Sequence, residues 1–187
     1  MIYHTILPII ADQSNLMATA PPLIVTVTLD KASHVYFTEL RNRYFPAYCN
    51  FLEAHLTFFH RLPSSLSIID ESLRRSAERT LMNLEVTGIK NIGNGVVFNI
   101  ISDELQQLHK DMQRTFDKYL ITQDRKKLRP HITVQNKVTA YKAKQTMEKL
   151  SQDFKPFAIQ AIGFNTWLYL KGPWQKVDDY LFTEYTS

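Results

Sequence analysis

An α+β fold in two similar lobes is what this sequence of 187 residues predicts, on two observations. Segments with the two-residue period of strands alternate along the chain with segments of helical period, which places both element types in one layered unit. Each half also repeats one theme: a strand carrying His-x-Thr (His55 and Thr57, then His131 and Thr133), followed by a helix, followed by further strands. A weak internal duplication accounts for the repetition.

Residues 23–29 set Leu23, Val25, Val27 and Leu29 against Ile24, Thr26 and Thr28, a β-branched alternation that reads as a strand. Asp30 is placed as a cap, and Val35, Phe37 and Leu40 carry an amphipathic helix toward Tyr44, where Pro46 stops it. The short, aromatic-rich stretch 54–61 is a strand. Over 67–83, Ile68, Ile69, Leu73, Ala77 and Leu81 recur at helical spacing, with Arg74, Arg75 and Arg79 on a solvated outer face. Strands at 84–90 and 95–101 flank a turn-rich link from Asn91 to Asn94 and form a hairpin. Ser102 caps a helix over 103–119, with Asp103 and Glu104 in the first turn, where the helix dipole favours them. His109 on that helix is assigned to structure. After a polar loop come a strand at 131–138, a Lys-rich helix at 139–154 and strands at 157–162 and 167–170, and Gly172-Pro173 then marks a turn.

Composition bounds the remaining possibilities. Hydrophobic residues make up 44% of the chain, enough to bury a core, and the aromatic 12% is spread along it, so one compact unit is expected. We divide it into an N-terminal extension of unassigned role (1–22), a single domain (23–182) and a tail (183–187). The net charge of +4 comes from 22 basic residues interspersed with 18 acidic ones, a mild attraction for polyanions and no dedicated nucleic-acid composition. The dense basic run Arg125, Lys126, Lys127 and Arg129 directly precedes His131, where a phosphate site profits from positive potential. Cys49 is the sole cysteine, which excludes an intramolecular disulfide and makes a cytoplasmic location the expectation. Residues 1–10 lack a basic start and are followed by Asp12, Gln13, Ser14 and Asn15, so neither a signal peptide nor a membrane anchor is expected; Met17 is an alternative start. A monomer without a membrane partner follows as the simplest expectation.

Alternate residues of a strand share a face, so His55, Thr57 and Phe59 project together, opposite Ala54, Leu56 and Phe58. The same parity groups His131, Thr133, Gln135 and Lys137 opposite Pro130, Ile132 and Val134. We therefore take His55, Thr57, His131 and Thr133 as catalytic candidates and Phe59, Arg129, Gln135 and Lys137 as candidate substrate contacts.

The blocks Ala54-His55-Leu56-Thr57-Phe58-Phe59-His60 and Arg129-Pro130-His131-Ile132-Thr133-Val134 resemble the paired signatures of the two-histidine (2H) phosphoesterase superfamily, in particular its 2'-5' RNA ligase-like family. Thr122-Gln123-Asp124-Arg125, Gln135-Asn136-Lys137-Val138, and Tyr169 with Gly172-Pro173-Trp174 are similar to a bacterial subgroup of it. The likeness covers about 23–182; Phe58 departs from it on the core side, where a smaller aliphatic residue is more usual, and the first 22 residues have no counterpart. The resemblance implies a bilobed fold in which two antiparallel sheets face each other across a central groove, helices outside and one catalytic histidine on each side.

It also implies a metal-independent cyclic phosphodiesterase, or 2'-5' RNA ligase-like enzyme, acting on 2',3'-cyclic phosphate or 2'-5' phosphodiester ends of RNA or nucleotides. Two imidazoles supply base and acid near neutral pH, and the threonine hydroxyls hydrogen-bond the non-bridging oxygens. The residues do not distinguish which histidine is base and which acid. No metal or other cofactor is expected: a His-Glu-x-x-His helix and paired cysteines are lacking, and His55 and His60, five apart, cannot both point inward from one strand. A Gly-x-Ser-x-Gly elbow is lacking too. The competing readings are a catalytically silent RNA-end or nucleotide-binding module, and a phosphodiesterase for a small nucleotide metabolite such as a cyclic phosphate of ADP-ribose.

Overall fold

Two rounds of strand, helix, strand, helix, strand make up the chain, with one strand added at the end. The first round is β1 (Leu23–Leu29), α1 (Lys31–Tyr44), β2 (Leu56–Leu62), α2 (Ser67–Ala77) and β3 (Met82–Asn91). The second is β4 (Val96–Ile101), α3 (Asp103–Phe116), β5 (His131–Gln135), α4 (Ala140–Ser151) and β6 (Phe157–Tyr169), and β7 (Trp174–Leu181) follows. The structure is a computed structural model and describes residues 20–183. Most of the expected N-terminal extension, Met17 included, and the tail beyond Thr183 lie outside the described residues.

Local chemistry sets the element starts. The Asp30 carboxylate accepts from the Ser33 amide at 2.9 Å, the Ser102 hydroxyl from Leu105 at 3.3 Å and the Thr139 hydroxyl from Lys142 at 3.3 Å, each satisfying an orphan amide of a first helical turn. In the β3–β4 hairpin the Asn91 side chain accepts from the amide of Gly93 at 2.7 Å, and Gly93 takes a φ of 93°, which a residue with a Cβ rarely adopts.

Three elements differ from their sequence expectation. The helix expected over 67–83 ends at Ala77, because Met82, Asn83 and Leu84 are taken up as sheet partners of Ala161, Gln160 and Ile159. The two strands expected at 157–162 and 167–170 are one, and β7 gave no sequence signal: only Tyr180 of its eight residues is buried.

All strand pairings are antiparallel, in the order β1-β2-β5-β4-β3-β6-β7, and an additional β1–β6 pairing closes the sheet on itself. The long β6 belongs to both halves: residues 157–161 pair with β3, while 163–169 pair with β7 and β1 runs alongside from Ala161 to Leu168. On the other side the halves meet in one residue pair, Leu56 with Ile132. The two antiparallel lobes are thus hydrogen-bonded into one seven-stranded sheet. Phe37 of α1 packs edge-on against Phe98 of β4, while Phe58, Phe59, Phe116 and Phe164 are fully buried around β2, α3 and β6.

Candidate active site

The pairing of Leu56 with Ile132 decides where the two His-x-Thr triplets meet. In an antiparallel pair centred there, His55 stands opposite Thr133 and Thr57 opposite His131, and directly opposed side chains share a face. Leu56 and Ile132 are wholly buried on the core face, while Thr57 and Thr133 are part-exposed and His131 is exposed on the other. The structure therefore brings all four catalytic candidates together, each histidine diagonal to its partner and next to the other triplet's threonine.

Both rings are held in the same way. His55 Nδ1 lies 2.8 Å from the carbonyl oxygen of Glu53, and His131 Nδ1 lies 2.8 Å from that of Arg129, in each case two residues back. A carbonyl only accepts, so Nδ1 carries the hydrogen and Nε2 is the nitrogen left for proton transfer.

Their surroundings differ. His55 is half-buried against Trp174, with ring centroids 4.8 Å apart, and Trp174 leans in turn on Trp167, whose indole N–H donates to Thr26 at 2.9 Å. Burial pushes the His55 pKa down to about 4, against the opposing pull of the Glu53 carbonyl, and the positive charge of Arg41 and the proximity of His131 lower it further. At neutral pH His55 is the uncharged imidazole. Arg41, only 6% exposed on α1, reaches behind the site: Nε donates to Asn50 Oδ1 at 2.8 Å and to the Leu52 carbonyl at 2.9 Å, and Nη1 to the Thr133 carbonyl at 2.9 Å. It ties the approach to β2 directly to β5. Burial lowers its own pKa to about 10, which leaves it charged at neutral pH.

Of the expected substrate contacts, Arg129 stays beside His131, where both line an open depression of about 370 Å³ together with Thr57. Phe59 does not join them. A register shift in the β1–β2 pairing, between the Val25–Phe59 and Thr26–Thr57 partners, breaks the alternation, and Phe58 and Phe59 are both fully buried. Phe59 stacks on His109 at 4.6 Å in the core. Gln135 is displaced by the same device: the β4–β5 register slips between Val96 and Val97, and Gln135, wholly buried, donates to the Thr146 hydroxyl of α4 at 2.8 Å. Lys137 sits exposed in the turn after β5 with a φ of 58° and lines none of the depressions that hold His55 or His131. Among the described residues no group of three or more His, Cys, Asp and Glu is placed to hold a metal ion, and no helix is long and apolar enough to cross a membrane.

The family model described as the 2'-5' RNA ligase superfamily matches residues 29–173, a span that contains both triplets. The chain belongs to that superfamily. Among solved structures it is similar to TT0787 of Thermus thermophilus, at 15% identity and a TM-score of 0.60, with 86% of this chain and 97% of that one covered. It is also similar to E. coli LigT complexed with 3'-AMP (13% identity, TM-score 0.55, 88% and 99% covered) and to LigT complexed with ATP (14% identity, TM-score 0.52, 88% and 99% covered). At such identities the likeness concerns the fold, which is that of the two-histidine phosphoesterases, as the His-x-Thr blocks implied. No curated protein sequence matches the chain.

Proposed function

We propose that this member of the superfamily is a metal-independent phosphodiesterase that opens 2',3'-cyclic phosphates on nucleotides or RNA ends by two-histidine acid–base catalysis. The observation that carries the reading is the pair of Nδ1-anchored imidazoles set diagonally across Leu56 and Ile132, each beside a threonine hydroxyl. His55, uncharged at neutral pH, takes a proton at Nε2 from the attacking water, whose oxygen bonds to phosphorus. His131 protonates the departing ribose oxygen, and a nucleoside phosphomonoester results. Thr57 and Thr133 donate to the non-bridging oxygens as charge builds there. With an RNA 5'-hydroxyl in place of water and the 3' oxygen departing, the same attack forms a 2'-5' linkage. That LigT has been captured with 3'-AMP and with ATP supports a nucleotide as the ligand class.

The test is turnover of 2',3'-cyclic nucleoside monophosphates in the presence of EDTA. Hydrolysis at full rate is expected, and His55→Ala and His131→Ala should each lower it by about a hundredfold or more. Loss of activity with EDTA and its return with a divalent ion would refute the mechanism. Binding of nucleotides without turnover would favour the silent nucleotide-binding module.

A further inference from the structure

The depression shared by Thr57 and His131 contains a third, separately built histidine. His60 lies on β2 past the register shift, so it faces this space although it is five residues from His55. Its Nδ1 lies 2.8 Å from Oδ1 of Asp124, a residue distant in sequence and 2% exposed. The same carboxylate accepts the amides of His60 at 2.9 Å and Arg61 at 2.9 Å, so both its oxygens are engaged. The His60 ring, part-exposed, lines the opening with Lys126, Lys127 and Arg129.

The loop presenting these bases is fixed. Gln113 of α3 donates to the carbonyls of Asp124 at 2.6 Å and Lys126 at 2.9 Å, and Gln106 donates to that of Leu128 at 2.7 Å. Of the four basic residues in the run, Arg125 turns outward to pair with Asp117. The other three stand over the depression with no carboxylate within ion-pair distance among the described residues. A wall of positive donors around one buried, fully engaged carboxylate suits an anion. Three residues of strand separate His60 from Thr57, about 10 Å of chain, the scale of one nucleoside.

We infer that the His60 end of this depression is a subsite for a second phosphate, one nucleoside away from the reacting one, with Lys126, Lys127 and the imidazolium form of His60 as its donors, since Asp124 takes the Nδ1–H and only the protonated ring offers a second N–H. The substrate class is then an RNA end or a nucleotide carrying a further phosphate at its 5' position, in preference to a cyclic mononucleotide without one. The inference rests on the proposed phosphodiesterase reading for the placement of the first phosphate.

Calorimetric binding to the full chain, at fixed physiological salt, compares adenosine 3'-monophosphate with adenosine 3',5'-bisphosphate. One charge-assisted contact to the second phosphate makes the bisphosphate at least about tenfold tighter. His60→Ala and the double variant Lys126→Ala/Lys127→Ala should each shrink the ratio to within about threefold, while Arg125→Ala, which removes one charge outside the depression, leaves it. Because His60→Ala strips Asp124 of a partner, the double lysine variant, made at exposed positions, decides if His60→Ala fails to fold. Equal affinities in the unaltered chain, or a ratio unchanged in either folded variant, would overturn the subsite. Tighter bisphosphate binding without any cyclic-phosphate turnover would leave the subsite standing and overturn the catalytic proposal instead.

Discussion

His55 and His131 share one kind of Nδ1 partner and differ in what presses on the ring. His55 has Trp174 against it and the Arg41 charge behind it, and its depressed pKa follows first from burial and then from that charge. A base that protonates only near pH 4 keeps kcat/KM high well into the acid range, since kcat/KM reports ionisations of the free enzyme. We expect the acid limb of kcat/KM well below pH 6.5. Trp174→Ala, which opens the ring to water, and Arg41→Met, which removes the repelling charge, should both move it upward. An acid limb at 6.5 that neither substitution shifts would place the base elsewhere. The threonines call for a different readout. Thr57→Val and Thr133→Val keep the strand shape and remove one donor to the phosphate, so kcat should fall by about tenfold, on the order of 1–2 kcal/mol, with the melting temperature nearly unchanged. Kinetics unaltered in both would leave those residues to strand propensity alone.

At the scale of the element, the irregularities in β2 and β5 matter more than the strands' regular parts. Strict alternation puts Phe59 beside His55 and Gln135 beside His131, whereas one slipped residue in each strand sends both into the interior and lets His60 face the opening. Phe59→Ala is therefore a core deletion: urea unfolding should show a loss of about 3–5 kcal/mol. A raised KM at unchanged stability would instead mark Phe59 as a base-stacking residue. The caps at Asp30 and Ser102, the turn between Asn91 and Asn94 and the outward face of both triplets follow from rules spanning three or four residues, and all of these are seen. A bulge leaves no local trace, because Phe-Phe after Thr57 satisfies either parity. β7 is an edge strand with one buried side chain and so has no period to read. Arg41 in a helix reads as one more solvated cation until the Asn50, Leu52 and Thr133 acceptors close around it. The His60–Asp124 contact joins strands and loops too far apart in sequence for any spacing rule.

Across the whole molecule, the repeated strand–helix order brings the two triplets to the one point where β2 meets β5, and the closed sheet holds them there. That arrangement places titratable rings inside it. His109 of α3 is 3% exposed, stacked on Phe59 and edge-on to Phe58, and burial lowers its pKa to about 4 despite the opposing charge of Asp124. With His55 it forms a pair of imidazoles kept neutral by folding. The unfolded chain protonates them near pH 6.5 and the folded one only near 4, so between these values the unfolded state binds more protons and stability falls as pH falls. Asp30 and Asp70 act lower. Burial tends to raise the pKa of Asp30, but its bonds from Ser33 and the Gln160 amide prevail, while bonds from Arg74 and Tyr180 lower that of Asp70; their stabilisation is intact above the ordinary carboxylate value of 3.8. The window from pH 6.5 to about 4.5 thus isolates the histidines. Urea midpoints taken across it should decline steadily toward acid and stay level from pH 7 to 8. His109→Phe fills the same slot between the phenylalanines and forgoes one hydrogen bond to the backbone of Phe58, a cost of about 1 kcal/mol at pH 7. Its decline across the window should be visibly shallower than that of the unaltered chain. An identical slope in the variant would mean that His109 is not the ring that resists protonation.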